Sequence, residues 1–137
     1  MNSTGWLFDT NILSDLIRRP HGLLAQRIIA LDAEERRTSI VVACELRYGA
    51  VKSGTGSLQA KVDQLLDLVH VLPIQPGVDH HYAEIRSDLE KAGSIIGRND
   101  LLIAAHARAL GATLVTANVA EFDRVPGLAV QNWLAFH

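Results

Sequence analysis

Gly5-Trp6-Leu7-Phe8-Asp9-Thr10-Asn11 is the stretch on which the fold turns. An apolar run that stops at an acid, a hydroxyl and an amide reads as a short buried strand over 5–9. Asn11 is placed to cap a helix that runs to about Ile17. Arg18-Arg19-Pro20 ends it, because proline disfavours helix in the residue before it. Strand, sharp turn, helix: the rest of the chain continues that alternation.

Leu23, Leu24, Arg27, Ile28 and Leu31 predict a second helix. Arg37 to Ile40 predicts a second strand, followed by a helix through Glu45 to about Lys52. Ser53-Gly54-Thr55-Gly56-Ser57 is the clearest loop. Beyond it Leu58, Val62, Leu65, Leu66 and Val69 share one face of an amphipathic helix. Val71 to Ile74 reads as a short strand, and Val78 to Ala92 as a helix with Tyr82, Ile85 and Leu89 on one face. Gly93 and Gly97 punctuate the next loop; residues 99–110 are apolar nearly all round, which predicts a deeply buried helix. Thr113 to Thr116 reads as a central strand and Ala129-Val130-Gln131 as a short last one. The expectation is one α/β domain over 1–137, a central parallel sheet flanked by helices on both faces. Sites in such sheets form at the carboxyl ends of strands, where Asp9 and Thr116-Ala117-Asn118 both fall.

At 137 residues, with 48% hydrophobic and 20% charged residues, the chain has the make-up of an ordinary globular protein and not a disordered one. The start Met1-Asn2-Ser3-Thr4-Gly5 lacks the pattern of a signal peptide, and no apolar run approaches the ~18 residues of a membrane span, so a cytoplasmic location is expected. The single cysteine, Cys44, excludes an internal disulfide and a cysteine-based zinc site. A net charge of -2 excludes a generally basic nucleic-acid coat. It leaves room for a local cationic surface drawn from Arg18-Arg19, Arg36-Arg37, Lys52, Lys61, Arg86, Lys91 and Arg98.

Asp9, Glu45, Asp100 and Glu121 are acids in or beside apolar surroundings. Ionised carboxylates there are costly unless paired or metal-bound, and several together repel unless a cation neutralises them. Each has an ordinary reading as well. Asp9 fits a helix cap, Glu45 a wet helix face and Asp100 an N-terminal capping acid. In the first turn of its helix, Asp100 is also favoured as an anion by the helix dipole, by ~0.3–1 kcal/mol. Thr10 and Asn11 can support Asp9 by hydrogen bonding, and Thr116 and Asn118 can add neutral oxygens. Read together, the acids form a metal-binding cluster in which Asp9 and Asp100 are the metal ligands. Hard oxygen donors select Mg²⁺, with Mn²⁺ able to substitute. His80 and His81 are adjacent and diverge on a helix, while His21, His70, His106 and His137 read as surface or core residues. An acidified water beside such an ion is a nucleophile for phosphodiester hydrolysis. No phosphate-binding loop, dinucleotide fingerprint or nucleophile elbow is present in the sequence.

The segments carrying these acids, in this order, resemble the PIN-domain ribonucleases and, within them, the VapC-type toxins of toxin–antitoxin pairs. The matching pieces are Phe8 to Asn11, Glu45 to Ala50, Ile96 to Asp100 with Ile103 to Ala107, Leu114 to Asn118, Glu121-Phe122 and Val125 to Leu128. The resemblance implies an α/β fold and a Mg²⁺-dependent endoribonuclease whose first three acids are Asp9, Glu45 and Asp100. Many members carry aspartate where this chain has Asn118, so Glu121 is expected to serve in its place. Val42 replaces a small hydroxyl residue of many relatives. Arg86 to Leu89, Gly97 and Val125 to Gly127 look most like the branch that cuts initiator tRNA in its anticodon stem-loop. The family further implies a homodimer silenced by a VapB-type antitoxin, with surfaces expected on the helices near 23–31 and 58–69.

Two other classes compete. A phosphoacceptor signalling domain also gathers acids at strand ends, but it needs a late lysine and none follows Asp100. A non-catalytic binding module of the same fold would have no need of three acids.

Overall fold

The computed structural model describes residues 5–134; the N-terminal start read for a leader, and His137, lie outside them. The elements are β1 (Trp6–Phe8), α1 (Thr10–Arg18), α2 (Leu23–Ile29), β2 (Arg37–Ser39), α3 (Ile40–Ser53), α4 (Gly56–Asp67), β3 (His70–Leu72), α5 (Val78–Lys91), α6 (Arg98–Leu110), β4 (Thr113–Val115), α7 (Val119–Phe122) and β5 (Val130–Gln131). A 3₁₀ turn at Ala33–Glu35 precedes β2.

All pairings in the five-stranded sheet are parallel, in the order β3-β2-β1-β4-β5. β1 is therefore the middle strand: the chain builds outward through β2 and β3 on one side, then returns to add β4 and β5 on the other. Register places Phe8 beside Thr38 on one flank and beside Val115 on the other. The residues just past these strand ends, Asp9, Ile40 and Thr116, thus share one edge of the sheet. Leu7 and Phe8 are both fully buried, as are Leu114 and Val115. Successive strand residues point to opposite faces, so both faces of the sheet are covered. Burying each such side chain contributes roughly 1.5–3 kcal/mol.

Local chemistry corrects three expectations. Asp9, not Asn11, is the N-cap of α1, its side chain accepting from Thr10 N, and the helix starts at Thr10. The glycine loop at 53–57 is far shorter than read. Ser53 ends α3, Gly54 turns the chain at φ 73°, and the Thr55 hydroxyl caps α4 by accepting from Leu58 N. Only glycine adopts that left-handed turn at no steric cost, and a threonine cap starts the next helix at once. The short α7 has no counterpart in the periodicity, because four residues give no repeat to read.

Trp133 returns the chain to the start of the fold. Its ring packs edge-on against Trp6 and Phe8 at 5.0 and 5.4 Å, and the Arg27 guanidinium lies 3.7 Å from its centroid.

Candidate active site

Asp9 follows β1 directly and is only 2% exposed. Its backbone N–H still donates to Val115 O, which fixes the residue at the sheet edge. Thr116, one step beyond β4, donates its hydroxyl to Asp9 Oδ2 at 2.7 Å, and Thr10 N donates to Asp9 Oδ1 at 2.8 Å. Asn11 bridges the same turn. Its Nδ2 donates to Asp9 Oδ2 and Thr116 Oγ1, each at 3.4 Å, and its Oδ1 accepts from Ala117 N at 2.9 Å. Burial pushes the Asp9 carboxyl above the ordinary carboxylate range; the bonds from Thr116 and Thr10 pull it back, and Glu45 and Glu121 push it up again.

Glu45 reaches the same place from the middle of α3. The Thr10 hydroxyl donates to its Oε1, and Asn99 Nδ2 donates to its Oε2 at 3.4 Å. It is half-buried, not enclosed, because α3 presents only part of its surface to the core.

Asp100 lies in the first turn of α6. Its carboxyl is pushed up to about 8, first by burial, then by a hydrogen bond to Glu121 and by the charges of Glu121, Asp9 and Glu45. The α6 dipole favours the anion by ~0.3–1 kcal/mol, too little to offset that crowding. Glu121, from α7, lies beside the Asp100 carboxyl, and its buried Oε1 has no hydrogen-bond partner. A buried orphan oxygen facing another carboxyl needs either a shared proton or a cation.

Asp9, Thr10, Asn11, Ser14, Arg18, Glu45, Asp100 and Asn118 line one open depression at the carboxyl end of the sheet. The expected acids therefore converge, together with Thr10, Asn11, Thr116 and Asn118. Asn118 caps α7 without a side-chain bond and is exposed. Among the described residues no three of His, Cys, Asp or Glu are drawn together tightly enough to cage an ion by themselves. Two carboxylates with water completing the shell is the mode Mg²⁺ favours, and the orphan Glu121 oxygen and the raised Asp100 carboxyl both fit a cation there. Ser14 and Arg18 were not assigned to the site from sequence. The available signal was their spacing, at i+4 and i+8 from Thr10.

The other expected groups are dispersed. The Arg19 guanidinium bonds Asp15, and Arg36 donates to the carbonyls of Ile29, Leu31 and Leu68. Arg86 pairs with Glu90. Arg19, Arg36 and Arg86 are thus engaged within the chain, while Arg18 and Lys61 line one cleft and Arg86 and Arg98 another. His106 is a core residue whose Nδ1 meets Ser39 Oγ at 2.8 Å.

The PIN domain family matches residues 6–128. The chain is 39% identical to Ribonuclease VapC2 of Rickettsia felis over 131 residues, covering 93% of this chain and 97% of the relative. It is 33% identical to the tRNA(fMet)-specific endonuclease VapC of Shigella flexneri, with the same coverages. A crystal structure of VapBC2 from Rickettsia felis bound to a DNA fragment from their promoter superposes with a TM-score of 0.87 at 37% identity, covering 93% and 98% of the two chains.

Proposed function

The chain belongs to the PIN-domain family, and we propose that it is a divalent-metal-dependent endoribonuclease, the toxin of a toxin–antitoxin pair. One observation carries this reading: acids from separate parts of the chain meet at one sheet edge, where burial first, then the hydrogen bond to Glu121 and the neighbouring negative charges, push Asp100 up to about 8. A phosphoacceptor role is disfavoured, because Asp9 is nearly inaccessible and already takes hydrogen bonds from Thr10, Asn11 and Thr116.

In this reading Asp9 and Asp100 hold the ion, and Glu45 and Glu121 flank it. When bound, the ion supplies positive charge at the scissile phosphate and acidifies a water. Thr116, Thr10 and Asn11 fix the Asp9 carboxylate before substrate arrives, so little reorganisation is needed in the reaction. Glu45, half-buried beside the Thr10 hydroxyl, is placed to accept a proton from the attacking water. Asn118, exposed at the rim, is placed to donate to a phosphate oxygen. The oxygen-only donor set supports Mg²⁺ as the working ion, with Mn²⁺ as a substitute.

Relatives named for VapC and solved as VapBC complexes support a VapB-type antitoxin as partner. A cleft with an apolar floor of Leu16, Ile17, Ala25, Ile29, Leu65 and Leu68, edged by Arg18 and Lys61, supports the surfaces expected on α2 and α4. The relative named for tRNA(fMet) supports initiator tRNA as substrate. No helix among the described residues is long and apolar enough to cross a membrane; a homodimer working in the cytoplasm is our reading from the family resemblance.

The test is to incubate the purified chain with total RNA, with and without Mg²⁺, and map the new ends. Metal-dependent cleavage, lost in Asp9→Asn and Asp100→Asn proteins that keep the native circular dichroism, supports the assignment. Full activity in either variant refutes it.

A further inference from the structure

We propose that Arg18 is a phosphate-binding residue that, with Ser14 between it and the acidic centre, holds the RNA backbone along α1 beside the bond to be cut. The proposal rests on the ribonuclease reading above and adds to it a named contact for the substrate strand.

Thr10, Ser14 and Arg18 are spaced i, i+4 and i+8, so they lie on one face of α1 and step outward from Asp9. At ~1.5 Å rise per residue, Arg18 stands ~12 Å along the axis from Thr10. That is about three phosphates away at the ~3.4 Å per-strand spacing of a stacked nucleic acid, and fewer in an extended one. Ser14 and Arg18 line the same depression as Asp9 and Asp100, and the track continues along α3 beside Glu45 and Gly49.

Charge singles out Arg18. The depression is lined by three carboxylates, and Arg18 is the one cation among its lining residues. A polyanion entering an acidic depression needs a fixed positive group away from the reacting phosphate. Arg18 is available for that work. Its side chain is 62% exposed and comes no nearer than 3.9 Å to Asp15, whose carboxylate is already bonded by Arg19. Arg47 and Arg108, by contrast, are held in ion pairs with Asp63 at 2.6 Å and Glu84 at 2.5 Å. A guanidinium with free donors matches two phosphate oxygens at once, and the Ser14 hydroxyl can donate to the phosphate before it.

The experiment measures kcat and KM of the full chain and of Arg18→Ala, Arg18→Lys and Arg18→Glu on a fluorescent single-stranded RNA oligonucleotide, in Mg²⁺, from 50 to 300 mM salt. Arg18→Ala is expected to raise KM about tenfold with kcat within twofold. The plot of log(kcat/KM) against log[salt] should become shallower by about 0.7, the value for one lost single-strand phosphate contact. Arg18→Lys should keep the slope with an intermediate KM, and Arg18→Glu should exceed Arg18→Ala. An unchanged KM and slope, or a loss confined to kcat, overturns the proposal while leaving the ribonuclease reading intact. If the parent chain does not cut RNA in any divalent ion, that reading fails instead, and fluorescence anisotropy of the same oligonucleotide decides on Arg18. Weaker, less salt-sensitive binding in Arg18→Ala sustains it; equal binding, or no binding by the parent chain, ends it.

Discussion

The Asp100 carboxyl, at the start of α6, bonds to that of Glu121 on α7, and in this crowded, partly buried setting it is pushed up to about 8. Two acids set side by side in this way mark a place where positive charge is wanted.

Stability without metal should therefore depend on pH in a defined direction. A carboxyl whose pKa is higher in the folded than in the unfolded chain makes the fold bind more protons, so stability falls as pH rises through the folded value. His106 acts oppositely: burial lowers its pKa, and its contribution is lost as pH falls below the ordinary histidine range. Above the ordinary histidine range the His106 contribution is complete, so the trend is set by the raised carboxyls, Asp100 at about 8 with Asp9 shifted in the same direction. The melting temperature in chelator is expected to drop between pH 7 and 9, and the drop to be smaller in Asp100→Asn. A flat profile in the parent chain would show that the acids do not crowd one another.

Thr116 contributes the shortest bond to Asp9, at 2.7 Å. Thr116→Val keeps the shape and removes the donor. Because that bond lowers the Asp9 pKa, its loss should move the acidic limb of the rate–pH profile to higher pH and cut kcat/KM roughly tenfold at pH 6, about 1.4 kcal/mol. An unmoved limb would remove Thr116 from the site.

Asn118 offers a gain instead of a loss. Asn118→Asp adds a carboxylate to the rim of the depression, so divalent affinity should rise and the metal-free melting temperature should fall. Isothermal titration with Mn²⁺ and a thermal melt in chelator measure the two effects. An unchanged Mn²⁺ affinity would place residue 118 outside the ion's reach.

His106 links the helix of Asp100 to the start of the helix of Glu45. Its ring meets Ser39 Oγ at 2.8 Å and bonds to the Pro73 backbone, while Ser39 caps α3 by accepting from Val41 N. His106→Ala leaves a cavity and takes the imidazole partner from the Ser39 hydroxyl, at a cost of roughly 2–4 kcal/mol in urea unfolding. A change below about 0.5 kcal/mol would show the link to be incidental.

Much of this was legible in the chain. Leu7-Phe8 and Leu114-Val115 announce doubly covered strands because parallel sheets bury both faces. Asp9 and Asp100 stand out because apolar runs expose the oddity of an acid. What stayed hidden depends on contacts between distant residues. Asn11 looks like a cap but is bound to Ala117, 106 positions away. Arg19 looks like a nucleic-acid ligand until its bond to Asp15 is seen. Glu121 is legible as one of the acids, but the helix that carries it is not, because α7 is too short to leave a periodic trace.

The central claim is that the acids at the end of β1, in α3, in α6 and in α7 make room for one divalent cation. Calorimetric titration of Mn²⁺ at pH 7.5, in two buffers of different ionisation enthalpy, tests it most directly. Binding should release a proton, because Asp100 with a pKa of about 8 is largely protonated in the free site. Both the binding and the released proton should be lost in Asp100→Asn. Equal Mn²⁺ binding by the two proteins, or none by the parent chain, would contradict the account.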